Sequence, residues 1–170
     1  MKKVAVIGCG GSGKSHLSRQ LAEVLGAPVT HLDAVYYDQG WNPLPPEEFQ
    51  AAQRALVDAP TWVIDGNYNS TLAIRLAACD TVVFLDLPTR QCLWGILTRQ
   101  VKHGAGQQDG GVYNHLSWGF IKYVASYRRT MRPKVLAQLD QHARHAERVQ
   151  LTSRRRARRW LETITHSPTS

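Results

Sequence analysis

The 170-residue sequence has few cysteines and no long apolar segment. Its three cysteines, Cys9, Cys79 and Cys92, lie far apart and show no CxxC spacing. That argues against a disulfide framework or a structural zinc site and suits a reducing compartment. No segment approaches the roughly 20 apolar residues that span a bilayer. The apolar run at residues 4–7 is also too short for the core of a signal peptide. We therefore expect a cytoplasmic protein with no membrane partner.

Acidic residues are scarce in the second half of the chain. Residues 1–85 carry six Lys and Arg against eight Asp and Glu, whereas residues 86–170 carry fifteen against five. Concentrated positive charge suits a polyanionic ligand, which could be nucleotide phosphates or nucleic acid. A solvated basic surface gives the same composition, so charge alone leaves all three readings open. The length predicts one domain over residues 1–170.

Apolar and turn-forming segments alternate along the chain. Strands are predicted at residues 2–7, 28–32, 61–64, 81–85 and 148–151. Helices are predicted at residues 14–25, 46–57, 70–78, 89–101, 116–142 with a break near Pro133, and 154–164. Loops are predicted at residues 36–46 and, because of its four glycines, as a mobile segment at 103–111. The alternation predicts an α/β fold in which helices cover both faces of a parallel sheet.

Residues 8–15 read Gly-Cys-Gly-Gly-Ser-Gly-Lys-Ser and match the P-loop pattern GxxxxGK[ST]. Glycines let the backbone N–H groups of such a loop turn towards an anion at a helix N-terminus. Lys14 supplies a charge for the β and γ phosphates, and Ser15 offers its hydroxyl to Mg²⁺. The motif predicts a site for ATP or GTP with Mg²⁺. Its residues are Gly8, Gly10, Gly11, Ser12, Gly13, Lys14, Ser15 and His16.

Three aspartates follow predicted strands: Asp33, Asp65 and Asp86. Ligands of parallel α/β sheets bind beyond the carboxyl ends of the strands, so these side chains should share one edge with the P-loop. Asp65 or Asp86 could hold Mg²⁺ through its coordinated waters, because Mg²⁺ keeps several waters in protein sites. The pattern by itself does not separate the two.

Two segments resemble motifs of the adenylate-kinase-like P-loop kinases. Residues 62–66, Trp-Val-Ile-Asp-Gly, resemble the Asp-Gly motif of that group, and residues 83–88 resemble its Leu-Asp-x-Pro segment. Further segments resemble the adenylate-kinase-related proteins often labelled DNA topology modulation proteins: residues 31–33, Trp41, 65–68, 70–72 and 132–134. The resemblance covers nearly the whole chain. It implies a three-layer sandwich with five parallel strands in order 2-3-1-4-5, an acceptor-side insert at about 33–60, and a helical lid at about 102–130.

The resemblance also implies roles for single residues. Asp65 becomes the better Mg²⁺ candidate, and Asp86 would support the loop beside the P-loop. Arg99 would contact adenine and phosphates, and Arg154, with residues 152–153, would lie where the base is cupped by backbone. Arg128, Arg129 and Arg132 match lid arginines that stabilise the charge of the transferring phosphoryl group. The predicted catalytic residues are Lys14, Asp33, Asp65, Arg128 and Arg132.

One position departs from this resemblance. Nucleoside monophosphate kinases of this type carry an arginine shortly after the Asp-Gly motif to hold the acceptor phosphate, and Asn69 stands there instead. Asp33 is expected to orient the acceptor or act as its base, which suits a hydroxyl acceptor more than a phosphate. The predicted acceptor-binding residues are Asp33, Tyr37, Trp41, Arg54, Gly66, Asn67 and Tyr68.

These observations predict a Mg·ATP-dependent kinase that phosphorylates a nucleotide or another small acceptor, as a monomer or weak dimer. One alternative is a nucleotide-dependent regulatory protein that contacts DNA through its basic second half, although the sequence holds no recognised base-reading motif. Another alternative is an NTPase without an acceptor. The two enzymatic readings differ in whether an added compound accelerates nucleotide consumption.

Overall fold

The computed structural model describes residues 1–38, 42–103, 106–108, 112–114 and 118–166. The predicted contribution of Trp41 to the acceptor pocket lies outside these residues. Within the described ranges, no helix combines the length and the apolar character that a membrane crossing needs.

A five-stranded sheet forms the centre of the molecule. Numbered in chain order, its strands are β1 (Lys3–Gly8), β2 (Val29–His31), β3 (Trp62–Asp65), β4 (Thr81–Leu85) and β7 (Glu147–Leu151). All four strand pairings are parallel, and the order is β2-β3-β1-β4-β7. This is the predicted 2-3-1-4-5 order, which places β1 and the P-loop in the middle of the sheet.

Helices cover both faces of the sheet. They are α1 (Lys14–Leu25), α2 (Leu32–Tyr36), α3 (Pro46–Asp58), α4 (Leu72–Ala78), α5 (Thr89–His103), α6 (Trp118–Thr130), α7 (Arg132–His142) and α8 (Arg154–His166). Alternate residues of β1 point to opposite faces, as the two-residue period of a strand requires. Ala5 and Ile7 join α3, α4 and α7 in one buried cluster, while Val4 and Val6 join α1, α5, α6 and α8 in another. The three-layer α/β sandwich is therefore confirmed.

Two segments differ from their predicted structure. Asp33 lies in the first turn of α2, a five-residue helix that begins at the last residue of the predicted strand at 28–32 and reaches the first residue of the predicted loop at 36–46. In the segment predicted as a mobile loop at 103–111, Gly106–Gln108 forms a strand, β5, which pairs antiparallel with β6 (Val112–Asn114). Both elements were missed because they are too short to show a hydrophobic period.

The helical stretch predicted at 116–142, with a break near Pro133, is two helices that meet at Met131, so the break is confirmed. Pro133 is the second residue of α7, where its missing N–H leaves no helical hydrogen bond unmade. It therefore favours a new helix start. The predicted lid region contains, in its described part, the end of α5, the β5–β6 pair and α6.

Candidate active site

The P-loop joins β1 to α1 as a tight turn. Gly11 and Gly13 have φ angles of 74° and 95°, in the left-handed region that favours glycine. The N–H of Ser12 donates to the carbonyl of Cys9 at 3.2 Å, and Lys14 Nζ donates to the same carbonyl at 3.0 Å. The lysine ammonium thus lies across the loop, where the oxygens of a bound phosphate would accept its hydrogen bonds.

Helix α5 presses directly on this loop. A Cβ atom added to Gly95 would collide with the carbonyl oxygen of Gly11 and with the guanidinium of Arg154. Arg154 Nη2 donates to Gly11 O at 3.2 Å and to Gln91 O at 3.3 Å, which ties the start of α8 to the loop and to α5. Gly95 was not singled out from the sequence, because a glycine inside a helix shows its use only when the neighbouring backbone is known.

A cavity of about 1620 Å³ opens at the carboxyl edge of the sheet. Ligand pockets span roughly 300–1,000 Å³, so this one has room for a nucleotide and a second molecule. Most of the predicted site residues line it: Gly8, Gly10, Gly11, Ser12, Gly13, Lys14, Ser15, His16, Asp33, Tyr37, Asp65, Gly66, Asn67, Tyr68, Arg99 and Arg154. The donor and acceptor candidates therefore share one space.

Asp65 ends β3 at the floor of this cavity. It lies beside His31 in the sheet register, and His31 Nδ1 is 2.9 Å from Asp65 Oδ2. Both side chains are buried, yet no well-aligned hydrogen bond reaches Asp65 Oδ2. The described residues contain no group of three or more His, Cys, Asp or Glu that could cage a metal. A carboxylate that lines the cavity, together with the Ser15 hydroxyl, fits Mg²⁺, which takes few protein oxygens and completes its shell with water and phosphate.

Comparisons with known proteins bear on the fold. The sequence matches no protein-family model, and a search of curated proteins finds no match. In three dimensions the chain is similar to a shikimate kinase from Acinetobacter baumannii in complex with shikimate, with a TM-score of 0.64 and 16% identity over 96% of this chain and 90% of that one. The chain has a P-loop kinase fold. An unliganded sugar kinase from Janibacter sp. HTCC2649 is also similar, with a TM-score of 0.50 and 18% identity over 97% of this chain and 90% of that one. At these identities the likeness is one of fold.

Within this P-loop kinase fold, Asp86 is a structural link. Arg132 Nε donates to its Oδ1 at 2.8 Å, Arg132 Nη2 donates to its Oδ2 at 2.8 Å, and Gln150 Nε2 donates to its Oδ2 at 2.7 Å. The carboxylate is buried and joins the end of β4 to the start of α7 and to β7. Asp65, not Asp86, is the strand-end aspartate that lines the cavity.

Four of the predicted arginines, Arg54, Arg128, Arg129 and Arg132, do not line the cavity. Arg132 is bound by Asp86. Arg128 is exposed at the end of α6. Arg54 is exposed on α3 and donates to Gln50 Oε1 at 3.3 Å. The positive charge that does line it on the α5 side comes from Arg99, whose pKa is lowered by burial while the nearby charge of Asp33 opposes that shift.

Asp33 is held by a tyrosine. The Tyr68 hydroxyl donates to Asp33 Oδ1 at 2.7 Å, and burial, followed by the charge of Asp33, raises the Tyr68 pKa. The Tyr68 ring lies 4.9 Å, centroid to centroid, from both Tyr36 and Phe49. An aromatic wall from α2, α3 and the turn after β3 therefore fixes the direction in which the Asp33 carboxylate faces.

Asn67 connects the P-loop to α6. Its Oδ1 accepts the backbone N–H of Gly8 at 3.2 Å, and its Nδ2 donates to the Tyr123 hydroxyl at 3.1 Å. Helix α6 also lies against the loop, because a Cβ atom on Gly10 would fall 2.6 Å from a ring carbon of Phe120. One amide thus joins the P-loop, the Asp-Gly turn and α6.

A buried arginine that the sequence did not reveal lies behind this turn. Arg75 is fully buried; its Nη1 donates to Gln53 Oε1 at 2.5 Å and its Nη2 donates to the Gly66 carbonyl at 3.0 Å. Burial lowers the Arg75 pKa to about 10, and the charge of Asp65 opposes that shift. Arg75 therefore supports the Gly66–Asn67 peptide and places a positive charge near Asp65. The hydrophobic pattern of α4 does not predict the bonds of Arg75, because its partner Gln53 lies 22 positions away in the chain, on α3.

Proposed function

We propose that the protein is a phosphotransferase that moves the γ-phosphoryl group of Mg·ATP, or of Mg·GTP, to a small acceptor. The observation that carries the proposal is the shared cavity: the P-loop, Asp65 and Arg99 line the same space as Asp33 and the aromatic wall. The fold supports it, because both similar structures are described as kinases.

The donor side needs little movement to accept phosphates. Lys14 Nζ would exchange the Cys9 carbonyl for β and γ oxygens, while N–H groups of the loop other than that of Ser12, which bonds to Cys9 O, would face the anion. Ser15 and Asp65 would hold Mg²⁺ and its waters, and the bound ion would neutralise charge on the β and γ phosphates. Arg99 would face the transferring group or the base, and Arg154 would hold the loop in shape through Gly11.

The acceptor side is arranged for a hydroxyl nucleophile. Phosphoryl transfer requires that the attacking oxygen be positioned and relieved of its proton. Asp33 is the carboxylate available for this role on the acceptor side, and Tyr68 fixes its orientation. We keep Arg128 as a proposed lid arginine. The same role for Arg132 would require it to leave the three bonds it makes to Asp86.

The test is a coupled assay of ADP or GDP release over a panel of nucleoside monophosphates, nucleosides and polyhydroxyl compounds. We expect one class of compound to accelerate release. Lys14→Met should lower the accelerated rate at least about 100-fold, as loss of a preorganised charge on the phosphates does. Lys134→Met removes the same charge from an exposed site on α7 and should leave the rate unchanged. If no compound accelerates release, the protein is an NTPase or a regulatory protein.

Helix α8 favours a second candidate, a nucleotide-dependent protein that contacts DNA, as the topology modulation label suggests. It presents five exposed arginines, at 154–156, 158 and 159, while Trp160, Leu161 and Ile164 pack towards the core. Such a face would bind phosphates in a salt-dependent way. The test is fluorescence anisotropy with labelled duplex DNA at about 50 mM and about 200 mM salt, where affinity should fall steeply. Absence of binding at the lower salt contradicts this candidate.

A further inference from the structure

The acceptor half of the cavity holds little positive charge. We call the side of the cavity that is formed by Asp33, Tyr37, Tyr68, Asn69 and Arg99 the acceptor wall. Among the described residues of this wall, Arg99 is the one cation, and Asp33 carries the opposite charge near it. Asp65 adds a second negative charge at the floor of the same cavity.

Two arginines of the neighbouring helices α3 and α4 do not contribute their charge to this wall. Arg75 lies behind the Asp-Gly turn, where it is fully buried and bonded to Gln53 and Gly66. Arg54 is exposed on α3 and does not line the cavity. The chain segments outside the described residues, at 39–41 and 109–111, contain neither Lys nor Arg, and the whole stretch 104–117 contains neither.

Asn69 contributes an uncharged amide side chain to this wall. Its backbone carbonyl accepts a hydrogen bond from Gln138 Nε2 at 2.7 Å, which fixes the residue against α7. Its side-chain Oδ1 is buried and has no hydrogen-bond partner. The Asn69 side chain is an uncharged amide, so this part of the wall offers no cation to a phosphate group. A hydroxyl group can donate a hydrogen bond to the Asp33 carboxylate, which lines the cavity, whereas a phosphate dianion has no proton to donate.

We propose that the acceptor is an uncharged polyhydroxyl compound, whose reacting hydroxyl is oriented by Asp33. This inference rests on the proposed phosphotransferase function and specifies its substrate class. A phosphate dianion would lie near Asp33 and beside the donor triphosphate with one arginine to offset it. Like charges a few ångströms apart in a partly buried site repel strongly, so a phosphorylated acceptor should bind at least about 100-fold more weakly. Carboxylate and amide oxygens can instead accept hydrogen bonds from several hydroxyl groups.

The reaction balances with these groups alone. The acceptor hydroxyl oxygen forms a bond to the γ-phosphorus while the bond from that phosphorus to the β,γ-bridging oxygen breaks. The nucleoside diphosphate leaves with the bridging oxygen. The hydroxyl proton passes to the Asp33 carboxylate and then to solvent, and no oxidant or reductant is needed.

The experiment compares matched neutral and anionic acceptors: adenosine with AMP, glucose with glucose 6-phosphate, and glucose with gluconate. Diphosphate release gives kcat/KM for each, and calorimetric titration with a non-hydrolysable ATP analogue measures donor binding separately. We expect a neutral acceptor to exceed its anionic partner at least about 100-fold. Asp33→Asn should remove the acceptor-dependent rate and leave analogue binding unchanged.

A charge-insertion variant tests the reason for the preference. Asn69→Arg restores a cation to the wall and should shift the neutral-to-anionic ratio at least about tenfold towards the anionic partner. Gln141→Arg adds the same charge at an exposed position of α7 and should leave the ratio unchanged. An anionic acceptor that gives the higher kcat/KM with the unaltered protein overturns the inference and leaves the phosphotransferase proposal standing. Analogue binding without acceleration by any acceptor overturns both.

Discussion

Replacing Arg132 by Met separates a structural role from a catalytic one. The Asp86 side chain is 3% exposed and accepts bonds from both Arg132 and Gln150. Without the guanidinium, a buried carboxylate keeps one neutral donor. Breaking a buried ion pair from one side costs about 3–5 kcal/mol. The Arg132 side chain is 28% exposed, so water would partly replace it, and we expect a loss near the lower limit, about 3 kcal/mol.

The assay is urea unfolding followed by circular dichroism. We expect a lower midpoint with an unchanged slope, because the surface exposed on unfolding stays the same. For a chain of this length the melting temperature should fall by about 10 °C, at about 2–4 °C per kcal/mol. Asp86→Asn combined with Arg132→Met should recover part of the loss, since the buried charge is then gone.

The matched control is Arg129→Met, which removes an exposed arginine at the end of α6. It should leave the midpoint unchanged. The reasoning is refuted if Arg132→Met unfolds at the wild-type midpoint while phosphoryl transfer is lost. That result would assign Arg132 to the lid, as the sequence resemblance implies.

Three further changes test the loop and its supports. Gly95→Val would drive a side chain into Gly11 O and should weaken nucleotide binding at least about tenfold in calorimetric titration. Asn67→Ala removes the side-chain link between the P-loop and α6 and should raise the KM for nucleotide more than it lowers kcat. Burial raises the pKa of the Cys79 thiol to about 12, above the pKa of a cysteine in the unfolded chain. The neutral thiol therefore contributes its full stability below the unfolded-state pKa, and this contribution is lost as the pH rises towards the folded-state pKa. Cys79→Ala should therefore flatten the decline of the urea midpoint between about pH 9 and pH 11.

Each of these has its own control. Leu97→Val alters the same helix as Gly95 at an exposed side chain that does not line the cavity, and should spare nucleotide binding. Asn42→Ala removes a side-chain amide that donates to Asp38 Oδ2 and does not line the cavity, so an equal rise in KM with this variant would contradict a specific role for Asn67. Cys92→Ala should not flatten the alkaline decline, because the hydrogen bond with Cys9 lowers the Cys92 pKa. A flattening with Cys92→Ala would overturn the assignment to Cys79.

Features that depend on neighbours in sequence were predictable. The P-loop is one, because a nest of glycines followed by a helix forms from local backbone geometry. Helix α1 begins and ends where predicted, at Lys14 and Leu25, and Gly26 closes it with a φ of 61°. The strands of the sheet were also found, because buried parallel strands appear as continuous apolar runs between turn residues.

Other features exist only once distant segments meet. The choice between Asp65 and Asp86 as the cavity carboxylate became visible when Arg132 and Gln150, far along the chain, were seen to hold Asp86. The partners of Arg75 and the contact between Gly95 and Gly11 have the same origin. Sequence periodicity reports which residues turn inward, because that depends on the local backbone. It does not predict which buried polar groups form hydrogen bonds with each other, because that depends on how strands and helices pack. The donor loop was therefore readable from the sequence, whereas the charge of the acceptor wall was decided by the tertiary structure.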